Sequence, residues 1–194
     1  MACTLLTCEL AAAALNEMGL PPEPACAYRY VNVHNPHCAL RHDPHRGGWY
    51  AAPELARHPV WGLNWFAAAR LCAHLGGRLP REAEWKDFAS AGDPGHIYPW
   101  GAAEPTPALA NYDEHYAGTV EVGRFEPNPL GLYDLAGNLE EWCQDADPRG
   151  AAGERVVKGG AWSKGPGHLR IAARRGKWER LGTTTIGVRP VWDD

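Results

Sequence analysis

The chain has 194 residues and a net charge of −4 at neutral pH, with 45% hydrophobic and 22% charged residues. This length and composition fit one globular domain with a sizeable core. The mildly acidic balance lacks a basic stripe, which argues against nucleic acid as the main partner. No apolar stretch approaches the ~20 residues that span a bilayer, so no membrane segment is expected.

The start of the chain and its cysteines indicate a cytoplasmic protein. Residues Met1–Leu15 lack the basic region that precedes the apolar part of a secretory signal peptide. The six cysteines form no CxxC pair and no zinc-finger spacing. In a reducing compartment such cysteines are most often small buried hydrophobic side chains. We therefore expect a cytoplasmic location, with the thiols in the core.

Three helices are predicted in the first half of the chain. Thr7 is placed to cap a helix over Cys8–Met18, which a glycine then ends. Apolar residues at helical spacing predict a second helix over Trp65–Leu75. Pro80 suits the first turn of a third helix, and the glutamates that follow favour the positively charged helix N-terminus.

The strand predictions follow alternating or β-branched segments between these helices and after them. Tyr28–Val33 alternates and predicts a strand, His34–Gly48 predicts a turn-rich loop, and Trp49 begins a return strand. Gly92–Asp134 is expected to be mostly loop. The other candidate strands are Thr119–Phe125, Val156–Lys158, Leu169–Ala173 and Ile186–Val191. Early helices followed by loops and short strands indicate an α+β domain.

Four motifs occur in a fixed order along the chain. They are G-G-R-L-P-R-E-A-E-W at Gly76–Trp85, G-N-L-E-E-W at Gly137–Trp142, G-G-A-W at Gly159–Trp162 and I-G-V-R-P-V at Ile186–Val191. On these motifs the chain resembles the formylglycine-generating-enzyme family, also called the sulfatase-modifying-factor family. The resemblance implies a C-type-lectin-like fold for residues 1–194: a single domain with short strands, two to three helices and much irregular structure.

The resemblance also implies a domain that is shortened at its N-terminus. Members of the family usually carry an early strand ahead of the first helix, whereas this chain begins almost at that helix. An uncovered sheet edge can pair with another strand. We therefore expect a partner chain or self-association at the N-terminal sheet edge.

A calcium site is one implication of the resemblance. In the family, the segment that matches D-L-A-G-N-L-E-E can bind calcium, and by position its ligands are the Asp134 and Glu141 side chains with the Gly137 and Leu139 carbonyls. Calcium prefers hard oxygen donors in a flexible turn. The alternative is a tight turn whose acidic side chains only cap backbone amides.

The family's copper site is where this chain departs from the pattern. In the formylglycine-generating enzymes two cysteines follow the motif that matches G-G-A-W, and thiolates are the soft ligands that Cu(I) prefers. Here Ser163–His168 follows instead, and no cysteine occurs after Cys143. A protonated Lys164 cannot replace a thiolate. We therefore expect that copper-dependent oxidation of a substrate cysteine is absent.

A cluster of histidines suggests a different metal. His34, His37, His42 and His45 fall within one short loop, and imidazole suits zinc, iron, copper and nickel. This favours, as an alternative function, an iron- or copper-dependent oxidoreductase that uses the loop. The spacing matches no recognised ligand pattern, so the competing interpretation is a polar surface loop.

A cationic segment near the C-terminus suggests a ligand-binding face. Within Ser163–Thr185 the candidate residues are Lys164, His168, Arg174, Arg175, Lys177, Trp178 and Arg180. Tryptophan and arginine are enriched at interface hot spots. The alternative is that Trp178 packs inward while the charges are solvated. Together with the absent cysteine pair, this face predicts a binding or accessory module for a protein or small-molecule ligand.

Overall fold

The computed structural model describes residues 1–21, 30–31 and 37–193. The described part holds three α-helices and six strands joined by long irregular loops, which confirms the α+β class. The elements are α1 (Cys8–Glu17), β1 (Leu40–Asp43), β2 (Gly48–Ala51), α2 (Trp65–His74), α3 (Glu82–Ser90), β3 (Glu140–Ala146), β4 (Glu154–Lys158), β5 (Arg175–Trp178) and β6 (Ile186–Gly187). No helix among these residues is long and apolar enough to cross a membrane.

The three predicted helices are confirmed, and side chains cap their first turns. The hydroxyl of Thr7 caps α1. The Asn64 side chain accepts a hydrogen bond of 2.9 Å from the Ala67 amide at the start of α2. At α3, the Glu84 carboxylate accepts a bond of 2.8 Å from the Arg81 amide. Each cap satisfies an amide that the first turn of a helix leaves without a partner.

The main sheet has the strand order β5-β4-β3-β6, with β3 at its centre beside β4. Strands β4 and β5 run antiparallel to their neighbours, whereas β6 is parallel to β3. Successive side chains of a strand point to opposite faces of a sheet. Accordingly, Trp142 enters one buried cluster with α1 and α2, and Cys143 enters another with Trp85 of α3. The β1–β2 hairpin forms a separate two-stranded sheet.

Two predicted strands are wrong. The Thr119–Phe125 segment is irregular, because the side chain of Asn138, and not a neighbouring strand, bonds both backbone groups of Val120. The Leu169–Ala173 segment forms the end of a 3₁₀ helix and a turn. Its carbonyl groups accept hydrogen bonds from the buried Lys158 ammonium and pair with no strand.

Other strand boundaries also differ from the prediction. Strand β1 lies inside the predicted His34–Gly48 loop, and β3 has no counterpart among the predicted strands. The predicted Ile186–Val191 strand is reduced to β6 and one isolated bridge, from Val191 to Arg78. The predicted strand over Tyr28–Val33 lies mostly outside the described residues.

The chain's own first residues pair with the backbone that precedes the C-terminus. The amides of Ala2 and Leu6 donate to the carbonyls of Pro190 and Val188 at 2.9 and 2.8 Å, and Leu6 in turn accepts from Val60 at 2.8 Å. The segment ahead of α1 is therefore held by backbone bonds on both sides. Self-association at this edge stays a prediction, which light scattering of concentrated protein would test.

Candidate functional site

A cavity of about 620 Å³ lies between the β1 region, the segment that precedes α2, and three loops of the C-terminal half. Its walls include His37, Arg41, His58, Trp61, Trp162 and Thr184, together with the loop over residues 117–119. A volume of this size suits a small organic molecule or a short chain segment. The cavity is built from parts of the chain that are distant in sequence.

Two indoles stand in the walls, and a backbone carbonyl orients each of them. Trp61 Nε1 donates to the His37 carbonyl at 2.7 Å, and Trp162 Nε1 donates to the Thr184 carbonyl at 3.5 Å. Trp61 is buried, and Trp162 is partly buried. Because the polar N–H of each indole already has a carbonyl partner, its aromatic surface is what it offers to a ligand.

The position of Trp162 depends on the two glycines of its motif. Gly159 and Gly160 have φ angles of +94° and +72°, which side chains disfavour. A Cβ atom on Gly159 would lie 2.8 Å from the Leu135 carbonyl oxygen, and one on Gly160 would lie 3.0 Å from the His168 carbonyl oxygen. Only glycine fits at both positions, so the motif fixes the backbone that carries the indole.

The loop over residues 117–119 is held by Asn111, whose Nδ2 donates to the Gly118 carbonyl at 2.9 Å, and by Asn138 of the G-N-L-E-E-W motif, which bonds the residue that follows the loop. Asn138 is buried, its Oδ1 accepts from the Val120 amide at 3.0 Å, and its Nδ2 donates to the Val120 carbonyl at 3.1 Å. This amide takes the place of a neighbouring strand. These two bonds give Asn138 a structural role.

Burial shifts the pKa values of two groups in the walls in the direction that favours their uncharged forms. Burial lowers the pKa of His58, whose Nδ1 lies 2.9 Å from the Thr119 hydroxyl. Burial also raises the pKa of the Cys38 thiol, which lines the same cavity. Arg41 is the one permanently charged side chain among the described lining residues. Its Nη1 donates to the carbonyls of Cys38 and Leu40.

The seven residues predicted to form one binding face lie on both faces of β5 and on the loops beside it. Arg175 and Lys177 point to one face of the strand, and Trp178 points to the other because side chains alternate. Arg174 forms ion pairs at 3.0 Å with Asp147 and at 3.3 Å with a glutamate of α3. His168 ends up exposed in a 3₁₀ helix, and Arg180 is exposed in the turn after β5.

Lys164, Arg175 and Lys177 instead converge on Glu140, the first residue of β3. Arg175 Nη1 donates to Glu140 Oε1 at 3.0 Å, and the buried Oε2 makes no hydrogen bond with the described residues. Burial raises the pKa of Glu140, and the three cations oppose that rise. Burial, and then the charge of Arg175, lower the pKa of Lys177. Glu140 thus faces three cations, and a second carboxylate, that of Glu154, also acts on Lys177.

The four residues predicted to bind calcium are placed as follows. Glu141 is fully buried, and its two oxygens accept four hydrogen bonds, three from Arg189 and one from Trp85 Nε1, at 2.7 to 3.0 Å. A carboxylate offers about four lone-pair sites. All of them are used here, so Glu141 does not fit a metal ligand while Arg189 is in place.

Asp134, Gly137 and Leu139 lie in the turn that leads into β3. Asp134 Oδ2 accepts from the Gly123 amide at 2.7 Å, whereas its buried Oδ1 has no partner among the described residues. Burial raises the pKa of Asp134. The Gly137 amide donates to a carbonyl at 2.8 Å, and Leu139 is buried in the core. Of the two predicted carboxylate ligands, only Asp134 thus keeps an oxygen without a partner among the described residues, and calcium stays a prediction.

The histidine loop is only partly described, because His34 lies outside the described residues. His37 lines the cavity, whereas His42 packs edge-on against Trp49 with ring centroids 5.0 Å apart. His45 is exposed in a short 3₁₀ helix. The described ranges contain no group of three or more His, Cys, Asp or Glu side chains placed to hold a metal ion. A transition-metal site in this loop stays a prediction.

The sulfatase-modifying factor enzyme 1-like domain matches residues 27–194. The chain belongs to this family. The formylglycine-generating enzyme of Thermomonospora curvata is 34% identical over 155 residues, which are 60% of this chain and 51% of that protein. The inactive C-alpha-formylglycine-generating enzyme 2 of Bos taurus is 30% identical over 152 residues, 70% of this chain and 50% of that protein.

A serine/threonine-protein kinase, pkn1 of Chlamydia pneumoniae, is 38% identical over 153 residues, which are 71% of this chain and 24% of the kinase. The segment that matches this chain therefore spans about a quarter of this kinase and about half of the two relatives named for formylglycine generation.

Solved structures share the fold at low sequence identity. CarF has a TM-score of 0.70 and 20% identity, over 97% of this chain and 85% of its own. PvdO of Pseudomonas aeruginosa has a TM-score of 0.69 and 19% identity, over 95% of this chain and 76% of its own. Treponema denticola variable protein 1 has a TM-score of 0.68 and 20% identity, over 95% of this chain and 80% of its own. These likenesses fit the C-type-lectin-like fold expected of the family.

The sequence motifs did not reveal the cavity or most of its lining. Arg41 and His58 lie in none of the four motifs described above, and the loop over residues 117–119 lies in a segment expected to be mostly loop, where Thr119 opens a candidate strand. A buried indole needs a partner for its N–H, and this alone favours a structural role for Trp162. The observed bond to Thr184 confirms that partner, but the same indole also lines the cavity.

Proposed function

We propose that this domain is a non-oxidase member of its family that binds a ligand in the cavity walled by Trp61 and Trp162. The observation that carries the proposal is the cavity itself, about 620 Å³ in volume, with two indoles whose orientation is fixed by backbone carbonyls. Pockets of this kind, with aromatic walls and few polar groups, are typical ligand sites.

The sequence after Trp162 supports the non-oxidase part of the proposal. Lys164 stands two residues beyond the indole, and no cysteine occurs after Cys143. Burial raises the pKa of the Cys38 thiol in the cavity wall, which disfavours the thiolate form that binds copper. The relative from Bos taurus, which this chain matches over half of that protein's length, is named an inactive C-alpha-formylglycine-generating enzyme. This name agrees with the proposal.

The predicted surface over Ser163–Thr185 contributes to the same proposal in two ways. Thr184 lines the cavity, and the neighbouring Thr185 carbonyl accepts from the Glu140 amide at 2.9 Å. The backbone of Glu140, on which Lys164, Arg175 and Lys177 converge, is therefore hydrogen-bonded to the residue that follows the cavity wall. A protein ligand that enters the cavity with one side chain would meet this cationic cluster with its flanking residues.

A pair of tryptophan variants tests the proposed site. A fragment library is screened against the wild-type protein by ligand-observed NMR, and the hits are measured again with Trp162→Ala and Trp178→Ala. Trp178 is 47% exposed and points to the other face of β5, so it is the matched control. We expect the hits to lose binding in Trp162→Ala only. Hits that survive in Trp162→Ala, or a library without hits, would overturn the proposal.

The absence of oxidase chemistry is tested separately. The protein is loaded with copper and incubated with a sulfatase-type cysteine peptide in air, and aldehyde formation is followed by mass spectrometry. We expect no aldehyde, with an active formylglycine-generating enzyme as the positive control. Catalytic turnover to the aldehyde would contradict the proposal directly.

A further inference from the structure

A histidine ring and a threonine hydroxyl meet in the wall of the cavity. His58 Nδ1 lies 2.9 Å from Thr119 Oγ1, and both residues line the cavity. The two residues are 61 positions apart in the chain, so the fold alone brings them together. A ring nitrogen at this distance from a hydroxyl is placed to accept its proton, which is the arrangement of a nucleophile with its general base.

Backbone bonds hold His58 in place, and its surroundings favour the neutral ring. The His58 amide donates to the Leu55 carbonyl at 3.0 Å, and the His58 carbonyl accepts from the Cys8 amide at 2.9 Å. Burial lowers the pKa of His58, whereas the charge of Glu121 and the backbone of Thr119 oppose that shift. Because the pKa lies below its ordinary value of 6.5, the ring at neutral pH is mainly in the form that accepts a proton.

The residues on both sides of Thr119 are held by two buried asparagines. Asn111 Nδ2 donates to the Gly118 carbonyl at 2.9 Å, and the Asn138 amide bonds both backbone groups of Val120 at 3.0 and 3.1 Å. Gly118 has a φ angle of +132°, which a side chain would disfavour. The hydroxyl therefore stands on a backbone that other parts of the chain fix, as a reactive group requires.

The backbone amide of Thr119 supplies a third group on the same residue. It donates no hydrogen bond to any residue that the structure describes. In acyl-transfer sites the amide of the nucleophilic residue is one of the donors that stabilise the negative oxygen of the tetrahedral intermediate. A hydroxyl, a neutral imidazole and an unpaired amide are the parts that attack on an ester carbonyl requires.

We infer that the cavity hydrolyses carboxylic esters, with Thr119 as the nucleophile and His58 as the general base. The Thr119 oxygen forms a bond to the ester carbonyl carbon while its proton passes to His58 Nδ1. The bond from that carbon to the alkoxy oxygen then breaks, and His58 gives the proton to the leaving alcohol. Water attacks the acyl-threonine with the same proton transfers, which releases the carboxylic acid and restores the hydroxyl. The inference rests on the proposed function, because the ester must first bind in the cavity.

Hydrolysis of 4-nitrophenyl acetate tests the inference on the whole chain. Release of 4-nitrophenolate is followed by absorbance, and protein quenched in acid is digested and mapped by mass spectrometry to locate the acetyl group. We expect release faster than in buffer and an acetyl group on Thr119. His58→Gln should slow acetylation about 100-fold, since removing a general base costs about 10²–10⁴-fold. Thr119→Val should abolish the adduct, and Thr119→Ser should retain it at the same position.

Two control variants separate this site from unspecific reaction of an activated ester. His168→Gln removes an exposed histidine, and Thr106→Val removes an exposed hydroxyl, and neither residue lines the cavity. Both variants should react as fast as the wild type. If Thr119→Val does not fold, Thr119→Ser and the mapped position of the acetyl group in the wild type still decide.

The outcomes distinguish the inference from the proposed function. An acetyl group on another side chain only, or equal rates in the wild type, His58→Gln and Thr119→Val, would show that the pair is a structural hydrogen bond, and would overturn the inference. If the ester is not hydrolysed but fragment hits bind and are lost in Trp162→Ala, the inference fails while the proposed function stands. If the ester is not hydrolysed and the library gives no hits, both fail.

Discussion

Arg189 donates from Nε and Nη2 to the Glu141 carboxylate at 2.7 to 3.0 Å, and neither side chain is exposed to solvent. The same guanidinium donates to the backbone carbonyls of Ala2, Cys3 and Tyr133 at 2.7 to 3.1 Å. The pair therefore joins the G-N-L-E-E-W and I-G-V-R-P-V motifs to each other and to the start of the chain.

Replacing Arg189 should cost more stability than replacing an exposed arginine. Arg189→Met leaves the Glu141 charge buried without a partner, and we expect a loss of about 3–5 kcal/mol in the free energy of unfolding. The control Arg57→Met breaks a pair whose side chains are 72% and 57% exposed, and should cost about 0–1 kcal/mol. Urea denaturation measures both, and a loss below about 1 kcal/mol for Arg189→Met would contradict the prediction.

The partner variant checks the physical reason for that loss. In Arg189→Met with Glu141→Leu no charge remains buried, so the double variant should be more stable than Arg189→Met alone. An equal or greater loss in the double variant would show that the backbone contacts of Arg189 dominate its contribution.

Calcium should stabilise the protein little while Arg189 holds Glu141. A calcium site with a dissociation constant of about 10 µM would add about 2.7 kcal/mol at about 1 mM calcium. We expect a much smaller change in the melting temperature when calcium is added to EDTA-treated protein. A clear rise that is lost in Asp134→Asn would show that the unpartnered Asp134 oxygen binds the ion and that Glu141 is released to it.

Lys158 should make stability depend on alkaline pH. Burial lowers its pKa from 10.5 to about 8 in the folded protein, despite the opposing charge of Glu82. The unfolded chain therefore binds more protons than the folded one between these values, and the free energy of unfolding should rise with pH across that interval. The rise attributable to Lys158 is at most about 3 kcal/mol.

The comparison with Lys158→Met isolates this contribution from other titrating groups. This variant loses the bonds that Nζ donates to the Ile171 and Ala173 carbonyls at every pH, but it cannot lose a proton. Urea unfolding is measured between about pH 7.5 and 10.5 for both proteins. Parallel curves would refute the assignment, whereas a steeper rise in the wild type would support it.

Removing the Asn138 side chain should loosen a wall of the cavity. Asn138→Ala leaves both backbone groups of the buried Val120 without their partner, at a cost of about 1–3 kcal/mol for each unsatisfied group. Alanine at a φ of +61° adds about 1–2 kcal/mol. Asn138→Gly avoids that strain, so it should be the more stable of the two, and both should bind cavity ligands more weakly than the wild type.

Thermal unfolding and titration with a confirmed cavity ligand measure the two effects of the Asn138 variants. Wild-type stability in Asn138→Ala would mean that water or another group satisfies Val120. Wild-type affinity in both variants would mean that the loop over residues 117–119 holds its place without the amide.

The helices were predictable because their signals are local. The side chains that cap α1 and α2 lie within four residues of the amides they bond, and glycines follow both helices closely. Thr7 and Asn64 thus act through near neighbours alone. Helices α1 and α2 could therefore be placed without knowledge of the rest of the fold.

Strand β3 was missed because its burial depends on distant charges. Glu140 and Glu141 open the strand with two adjacent acids, a pattern that does not resemble a buried strand. They are buried because Arg175 and Arg189, 35 and 48 residues later, pair with them on opposite faces. No local periodicity carries that information.

The candidate site was less predictable than the fold for the same reason. Its walls combine residues from the β1 region with Trp162 and Thr184, more than a hundred positions away. The predicted binding face was split because Arg175 and Trp178 belong to one strand, and side chains at odd and even positions of a strand point to opposite faces of the sheet. A segment rich in cations was visible in the sequence, but the direction of each side chain was not.

The paired glycines before Trp162 have a consequence for how this domain can evolve. Because neither Gly159 nor Gly160 tolerates a side chain, mutation cannot move the indole by changing the residues that precede it. Substitutions that change the shape of the cavity are therefore expected in the segment that follows Trp162 and in the opposite wall. Related proteins can thus differ in the ligand that the cavity binds while the Trp162 indole keeps the same position.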